Sequence, residues 1–223
     1  MTHALGRCDD DRFAPHVGPR LVLGSASPRR LALLMQIGVR PDAVLPAELD
    51  ETPRPREGPR GLAERLAHEK ALASAAMARE RADLAACLTL AADTAVGVGR
   101  RVLPKCEGPE QAEACLALLS GRGHRVFTGI ALITRDGAVR RRLVETRLRF
   151  KRLSRKEVEA YLLSGEWRGK AGGYAIQGLA GAFVERLVGS YSNVVGLPLA
   201  ETAALLAGEG YPVHRNWSAS LAQ

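Results

Sequence analysis

Apolar and polar positions follow two rhythms along this chain. The run "RLVLG" reads as a buried strand that stops at Gly24, and "SASPRR" then turns the chain into a helix. From Pro28 to about Ile37, Leu31, Leu34 and Met35 share one helical face, and Gly38 stands where a helix ends. "AVLP" predicts a second short strand, and positions 48–58, rich in Pro, Glu and Arg, predict a loop. Helical spacing resumes from about Pro59 to Ala82. "CLTLAAD" reads as a buried strand ending on Asp93, followed by an extended stretch to Leu103 and a helix over about Pro109 to Ser120. Two strands flank "TRDGA", whose Asp136-Gly137 is a hairpin signal. Ser154 and Glu157 have capping-box spacing for a helix through Leu163. A glycine-rich stretch over 169–181 and a helix from about Pro198 to Ala207 complete the pattern.

Interleaved strands and helices with one hairpin predict an α/β fold on a mixed sheet rather than a purely parallel one. The 223 residues are enough for one sizeable core. The expected division is a loose extension over 1–18, a single domain over 19–208 and a tail over 209–223. No apolar stretch reaches spanning length, so no membrane partner is expected. The net charge of +8 asks for an anionic partner, but aromatics at 4% are too few for the stacking platforms of single-strand binders. No nucleic acid is therefore expected. Cys8, Cys87, Cys106 and Cys115 have no metal-finger spacing, and scattered thiols fit a reducing cytoplasm.

Four stretches carry candidate chemistry. Ser27 is a good N-cap and Pro28 a good first helical residue, so free N–H groups and Ser25 could face an anion. Arg29 and Arg30 sit at the positive end of that helix, which is unfavourable for cations unless an anion joins them. The plain alternative is an ordinary cap with two solvated arginines. Lys70 continues an apolar stripe through Leu62 and Leu66, so it must snorkel, pair or face a cleft. Asp93 delivers a carboxylate to the rim of the sheet, where open α/β folds gather ligands; it could equally be a turn cap. Asp50 and Glu51 suit a hard cation, and Lys105 follows the extended stretch. In "GKAGGYAIQG", the glycines let backbone approach a ligand, with Lys170 and Gln177 as polar tips. His68 and His124 read as surface or structural residues.

The ordered blocks "SASPRR", "LDETPR", "RLAHEKA", "AADTAV", "LPK", "LSGRGHRVFTGIAL", "GKAGGYAIQG" and "VVGLPLAET" resemble the motifs of the Maf family of nucleoside triphosphate pyrophosphatases, from about Leu21 to Leu206. That resemblance implies a two-lobed α/β fold similar to the inosine-triphosphate pyrophosphatases, with a nucleotide cleft between the lobes. It implies hydrolysis of a nucleoside triphosphate to the monophosphate and pyrophosphate, with a divalent cation, Mg²⁺ or Mn²⁺. Asp93 would be the general base and a metal ligand, and Glu51 a metal or water ligand. Ser25, Ser27, Arg29 and Arg30 would cradle phosphate; Lys70 and Lys105 match the family's two lysines.

Arg29, Thr94 and Gln177 resemble the branch acting on dTTP and UTP. The sister branch acting on 7-methyl-GTP carries a bulky residue after S-x-S-P and Gln after the aspartate. A non-catalytic regulator of septum formation is the rival class, and a homodimer is left open. One departure matters and a second is minor. Cys106 replaces the proline that usually follows the lysine, which could loosen the aim of Lys105, and Gly173 replaces the usual alanine of Gly-Ala-Tyr.

Overall fold

The computed structural model describes residues 18–215 and 217. The expected extension, with Cys8, lies outside them apart from Gly18. Strand β1 (Leu21–Leu23) leads through helix α1 (Pro28–Gln36) to β2 (Ala43–Val44). Helix α2 (Pro59–Arg79) precedes β3 (Leu88–Val98), β4 (Arg101–Leu103) and α3 (Pro109–Leu119). The long hairpin β5 (Gly123–Ile133) and β6 (Val139–Phe150) is followed by α4 (Arg155–Ser164). A 3-10 turn (Leu179–Phe183), β7 (Val184–Val188), α5 (Tyr191–Val195) and α6 (Leu199–Gly208) come last. The strands form one seven-stranded sheet in the order β2-β1-β3-β5-β6-β7, with β4 paired to β3. β1 runs parallel to β2 and β3, and every other pairing is antiparallel. The sheet is mixed, as expected.

β3 does not end at Asp93. It runs five residues further, to Val98, because Ala95 to Val98 keep the small and β-branched character of a buried strand. A carboxylate in mid-strand would be costly inside a closed sheet, and the pairing shows how it is accommodated. β5 lines one edge of β3 from Thr89 to Gly97. On the other edge β1 covers Leu88–Leu90 and β4 covers Val96–Val98. Residues 91–95 lie in the notch between those two strands, with Asp93 at its centre.

Alternate β3 residues face opposite sides of the sheet. Leu88, Leu90, Ala92 and Val96 enter the main core with Leu34, Leu116, Phe150 and Trp167. Ala91 and Ala95 face α2. That helix buries Leu62, Ala63, Leu66, Ala67, Lys70, Ala71, Ser74, Ala75 and Ala78, the stripe of a single helical face. Its small residues bring it close to the sheet. A Cβ on Gly129, the β5 partner of Asp93, would fall 2.3 Å from the Ala63 carbonyl oxygen. Glycine is required there by contact, and the close approach sets Lys70 against Asp93.

Ser154 and Glu157 form the expected capping box, and the Thr134 N–H donates to the Ala138 carbonyl across the Asp136-Gly137 turn. The segment expected as a tail docks at its start, since Tyr211 and Val213 are buried in the main core. Among the described residues no helix is long and apolar enough to cross a membrane.

Candidate active site

A cleft of about 360 Å³ opens at the notch, with Asp93, Thr94 and Val96 on its floor. One wall is the start of α1, Ala26 to Arg30, beside Val194–Gly196 at the end of α5. The opposite wall is Lys105 with residues 168–171 and Tyr174. α1 packs on α5 and α3 on α4, so the cleft separates two helical groups on one sheet, which is the two-lobed arrangement expected.

Lys70 neither snorkels nor points into solvent. Its ammonium donates to Asp93 Oδ1 and to Glu51 Oε1, each at 2.5 Å. Lys105 also donates to Glu51, through Oε2. Burial opposes ionisation of Glu51, but the hydrogen bonds from Lys105 and Lys70 outweigh it and hold its carboxyl below the ordinary range. Glu51 itself comes from the loop before α2, and Arg65 fixes that loop. The Arg65 guanidinium grips both oxygens of Glu57, at 2.8 and 2.7 Å, and reaches the Thr52 carbonyl at 3.1 Å and Glu69 at 3.0 Å. This bidentate pairing drives the Glu57 carboxyl down to about 2.

On the opposite face of β3, Arg30 is anchored at three points. It donates to the Gly196 carbonyl at 2.8 Å, Ser25 Oγ at 3.0 Å and Thr94 Oγ1 at 3.2 Å. Thr94 in turn shares a hydrogen bond with Thr128, which donates to the Asn193 carbonyl. Asn193 is fully buried and donates to the Val126 carbonyl and Thr146 Oγ1. This polar chain seats α5 and so places the Gly196 carbonyl that aims Arg30. Desolvation lowers the pKa of both Arg29 and Arg30, so each cation stands to gain from an anion in the cleft.

The expected cap differs in detail. Ser27 occupies the N-cap position, but its side chain makes no capping bond, and its hydroxyl is left for the cleft. Its N–H donates to Ser25 Oγ, and the Arg30 N–H donates to the Ser27 carbonyl. Pro28 has no N–H, so the Arg29 N–H is the remaining donor of that first turn.

Lys105 is held by its flanks. The Cys106 N–H donates to the Lys170 carbonyl, Gly169 donates to the Cys106 carbonyl, and Lys105 bridges Ala171. A proline at 106 could not make the first of these bonds, so the departure adds a tie rather than loosening the segment. Gly173 has φ +69°, and a Cβ there would meet Cys106 Sγ at 3.1 Å and Ala112 Cα at 3.2 Å. The two departures are therefore neighbours.

Of the sequence candidates, Ser27, Arg29, Arg30, Asp93, Thr94, Lys105 and Lys170 line the cleft. Ser25, Lys70 and Glu51 reach it through the contacts above. Gln177 is exposed on a turn and is not part of the lining. His124 is structural, as expected: it is buried, bonded through Nε2 to Tyr174 Oη, and desolvation lowers its pKa to about 4. Arg168, Tyr174, Thr128, Asn193 and Arg65 carried no separate sequence signal. Among the described residues no three His, Cys, Asp or Glu side chains converge as metal ligands; Glu51 and Asp93 are a pair.

The model of the Maf-like protein family matches residues 20–209. A dTTP/UTP pyrophosphatase of Mesorhizobium japonicum is 61% identical over 198 residues, 89% of this chain and 95% of the relative. Proteins of the same name from Brucella abortus and Rhodopseudomonas palustris are 59% and 58% identical, over 91% and 89% of this chain and 97% and 96% of theirs. Among solved structures, the Ham1 protein of Staphylococcus aureus is similar at a TM-score of 0.41 and 16% identity, covering 59% of this chain and 71% of that one. A HAM1 protein of Coxiella burnetii gives 0.42 and 17%, over 61% and 75%. With a family match across nearly all the described residues and relatives near 60% identity over nearly their whole length, the chain belongs to the Maf family.

Proposed function

We propose that this chain hydrolyses dTTP and UTP to the monophosphate and pyrophosphate, with Asp93 as the base that takes a proton from the attacking water. The observation that carries the reading is the charge of the cleft. Arg29, Arg30, Lys105, Arg168 and Lys170 line it against a single lining carboxylate, Asp93. That excess fits a polyphosphate, and it surrounds one candidate base.

Asp93 lies on the notch floor with Oδ1 held by Lys70. Oδ2 has no hydrogen-bond partner among the described residues and is the oxygen for a water. As the water attacks the α-phosphorus, its proton passes to Asp93 and the bond to the bridging oxygen breaks. Arg29, Arg30 and Lys105 stabilise the charge that builds on the departing pyrophosphate.

The carboxylates fit a hard divalent cation. Glu51 and Asp93 already converge on one cationic centre, the Lys70 ammonium, and phosphate oxygens and waters would complete an oxygen shell. Mg²⁺ or Mn²⁺ held there would neutralise phosphate charge. Cytoplasmic placement is supported by three buried cysteines that form no disulfide among the described residues, Cys87, Cys106 and Cys115.

For base choice, the support is the place of Arg29 and Thr94 on the cleft lining and the names of the relatives; Gln177 rests on resemblance alone. Steady-state rates with dTTP, UTP, dCTP, GTP and 7-methyl-GTP, with Mg²⁺ and with Mn²⁺, test the reading. The expected order places dTTP and UTP first. A preference for 7-methyl-GTP would move the chain to the sister branch, and inactivity on every nucleotide would favour the regulatory class.

A further inference from the structure

Several arginines of this chain are tied to carboxylates, Arg54, Arg65, Arg140 and Arg155 among them. Arg168, like Arg29 and Arg30, has no carboxylate within ion-pair distance among the described residues, and these three arginines line the cleft, Arg168 on the wall facing the other two.

Its position is fixed from both sides. The guanidinium carbon lies 5.0 Å from the centre of the Trp167 ring, within the range of a cation–π contact. That ring is 2% exposed, and its Nε1–H donates to the Leu162 carbonyl at 2.8 Å. The backbone is equally constrained. Arg168 N–H donates to the Gly165 carbonyl, Lys170 N–H to the Trp167 carbonyl, and Gly169 N–H to the Cys106 carbonyl. A guanidinium resting near a locked indole loses less freedom on meeting an anion than an unrestrained side chain does.

We propose that Arg168 is a substrate-binding residue that grips the polyphosphate chain from the wall opposite α1. Its fork suits two phosphate oxygens at once, and with Arg29 and Arg30 it closes a clamp across the cleft. The assignment rests on the nucleotide reading of the cleft but concerns the inorganic part of the ligand, so it is testable without turnover.

The experiment is calorimetric titration of the full chain with inorganic tripolyphosphate and, separately, with TMP. Arg168→Ala should weaken tripolyphosphate binding roughly tenfold or more and leave TMP binding unchanged. Arg168→Lys, which keeps the charge and loses the planar fork, should recover part of the loss. Trp167→Phe, which keeps an aromatic core, should lie between wild type and Arg168→Ala. Unchanged tripolyphosphate binding in Arg168→Ala, or equal losses for both ligands, would overturn the assignment, as would a wild-type chain that does not bind tripolyphosphate. A wild-type chain that binds it and fails to hydrolyse dTTP would instead count against the proposed activity alone.

Discussion

The Lys70 ammonium sits 2.5 Å from Asp93 Oδ1 in a buried setting, and the same nitrogen reaches Glu51. The apolar stripe of α2 is thus interrupted at one position to place a cation between two acids. Lys70→Met keeps the volume and removes the charge, leaving Asp93 buried without its partner. The expected cost is about 3 kcal/mol or more of folding stability, with loss of turnover. Thermal unfolding with and without Mg²⁺ checks this: added Mg²⁺ should restore part of the stability, because the freed carboxylates can then share a divalent ion.

Thr94 tests the anchoring of Arg30. Thr94→Val keeps the shape but removes the hydroxyl bonded to Arg30 and Thr128. Arg30 retains its bonds to Gly196 and Ser25, so the expected fall in kcat/KM for dTTP is about tenfold, the scale of one hydrogen bond to a charged group. A change below twofold would remove Thr94 from the positioning of Arg30.

Cys106 and Gly173 are predicted to be coupled. Gly173→Ala alone forces a methyl towards Cys106 Sγ, at φ +69°. Combined with Cys106→Ala, part of that crowding disappears, so the double variant should be more stable than the sum of the two single costs by about 0.5 kcal/mol or more. Denaturant unfolding of the four chains measures it, and strict additivity would break the link.

His124 sets an acid limit. Burial lowers its pKa to about 4, against about 6.5 when unfolded. The unfolded chain therefore takes up a proton below about pH 6.5 that the folded chain refuses until near 4. Its stabilising contribution is full above that window and falls away as pH drops through it, by about 3 kcal/mol in all. His124→Phe should flatten the pH dependence of the unfolding midpoint between 6.5 and 4. An unchanged slope would assign the acid sensitivity elsewhere.

Local signals made much of the fold legible. Ser154 with Glu157, the Asp136-Gly137 turn and the Pro28 start act within a few residues, and the chain carries them openly. Lys70 was legible as an anomaly because a lysine breaks an apolar stripe, though its partners lie 19 and 23 residues away. Asp93 was misplaced at a strand end for a related reason. The notch that accommodates it depends on where β1 and β4 stop, which no local spacing encodes. β7 and α5 are five residues each, too short for a period to emerge. Asn193 and Thr128 look like ordinary polar residues until the fold buries them together, and Arg168 is one arginine among many until the cleft wall forms.

As the proposed base, Asp93 takes the proton of the water that attacks the α-phosphorus. The most direct measurement is product analysis of dTTP turnover with Mg²⁺, for the wild-type chain and Asp93→Asn. The expected result is equimolar TMP and pyrophosphate, no TDP, and a loss of about a hundredfold or more in Asp93→Asn, the scale of a missing general base. Orthophosphate with TDP, or an Asp93→Asn chain as fast as wild type, would contradict it.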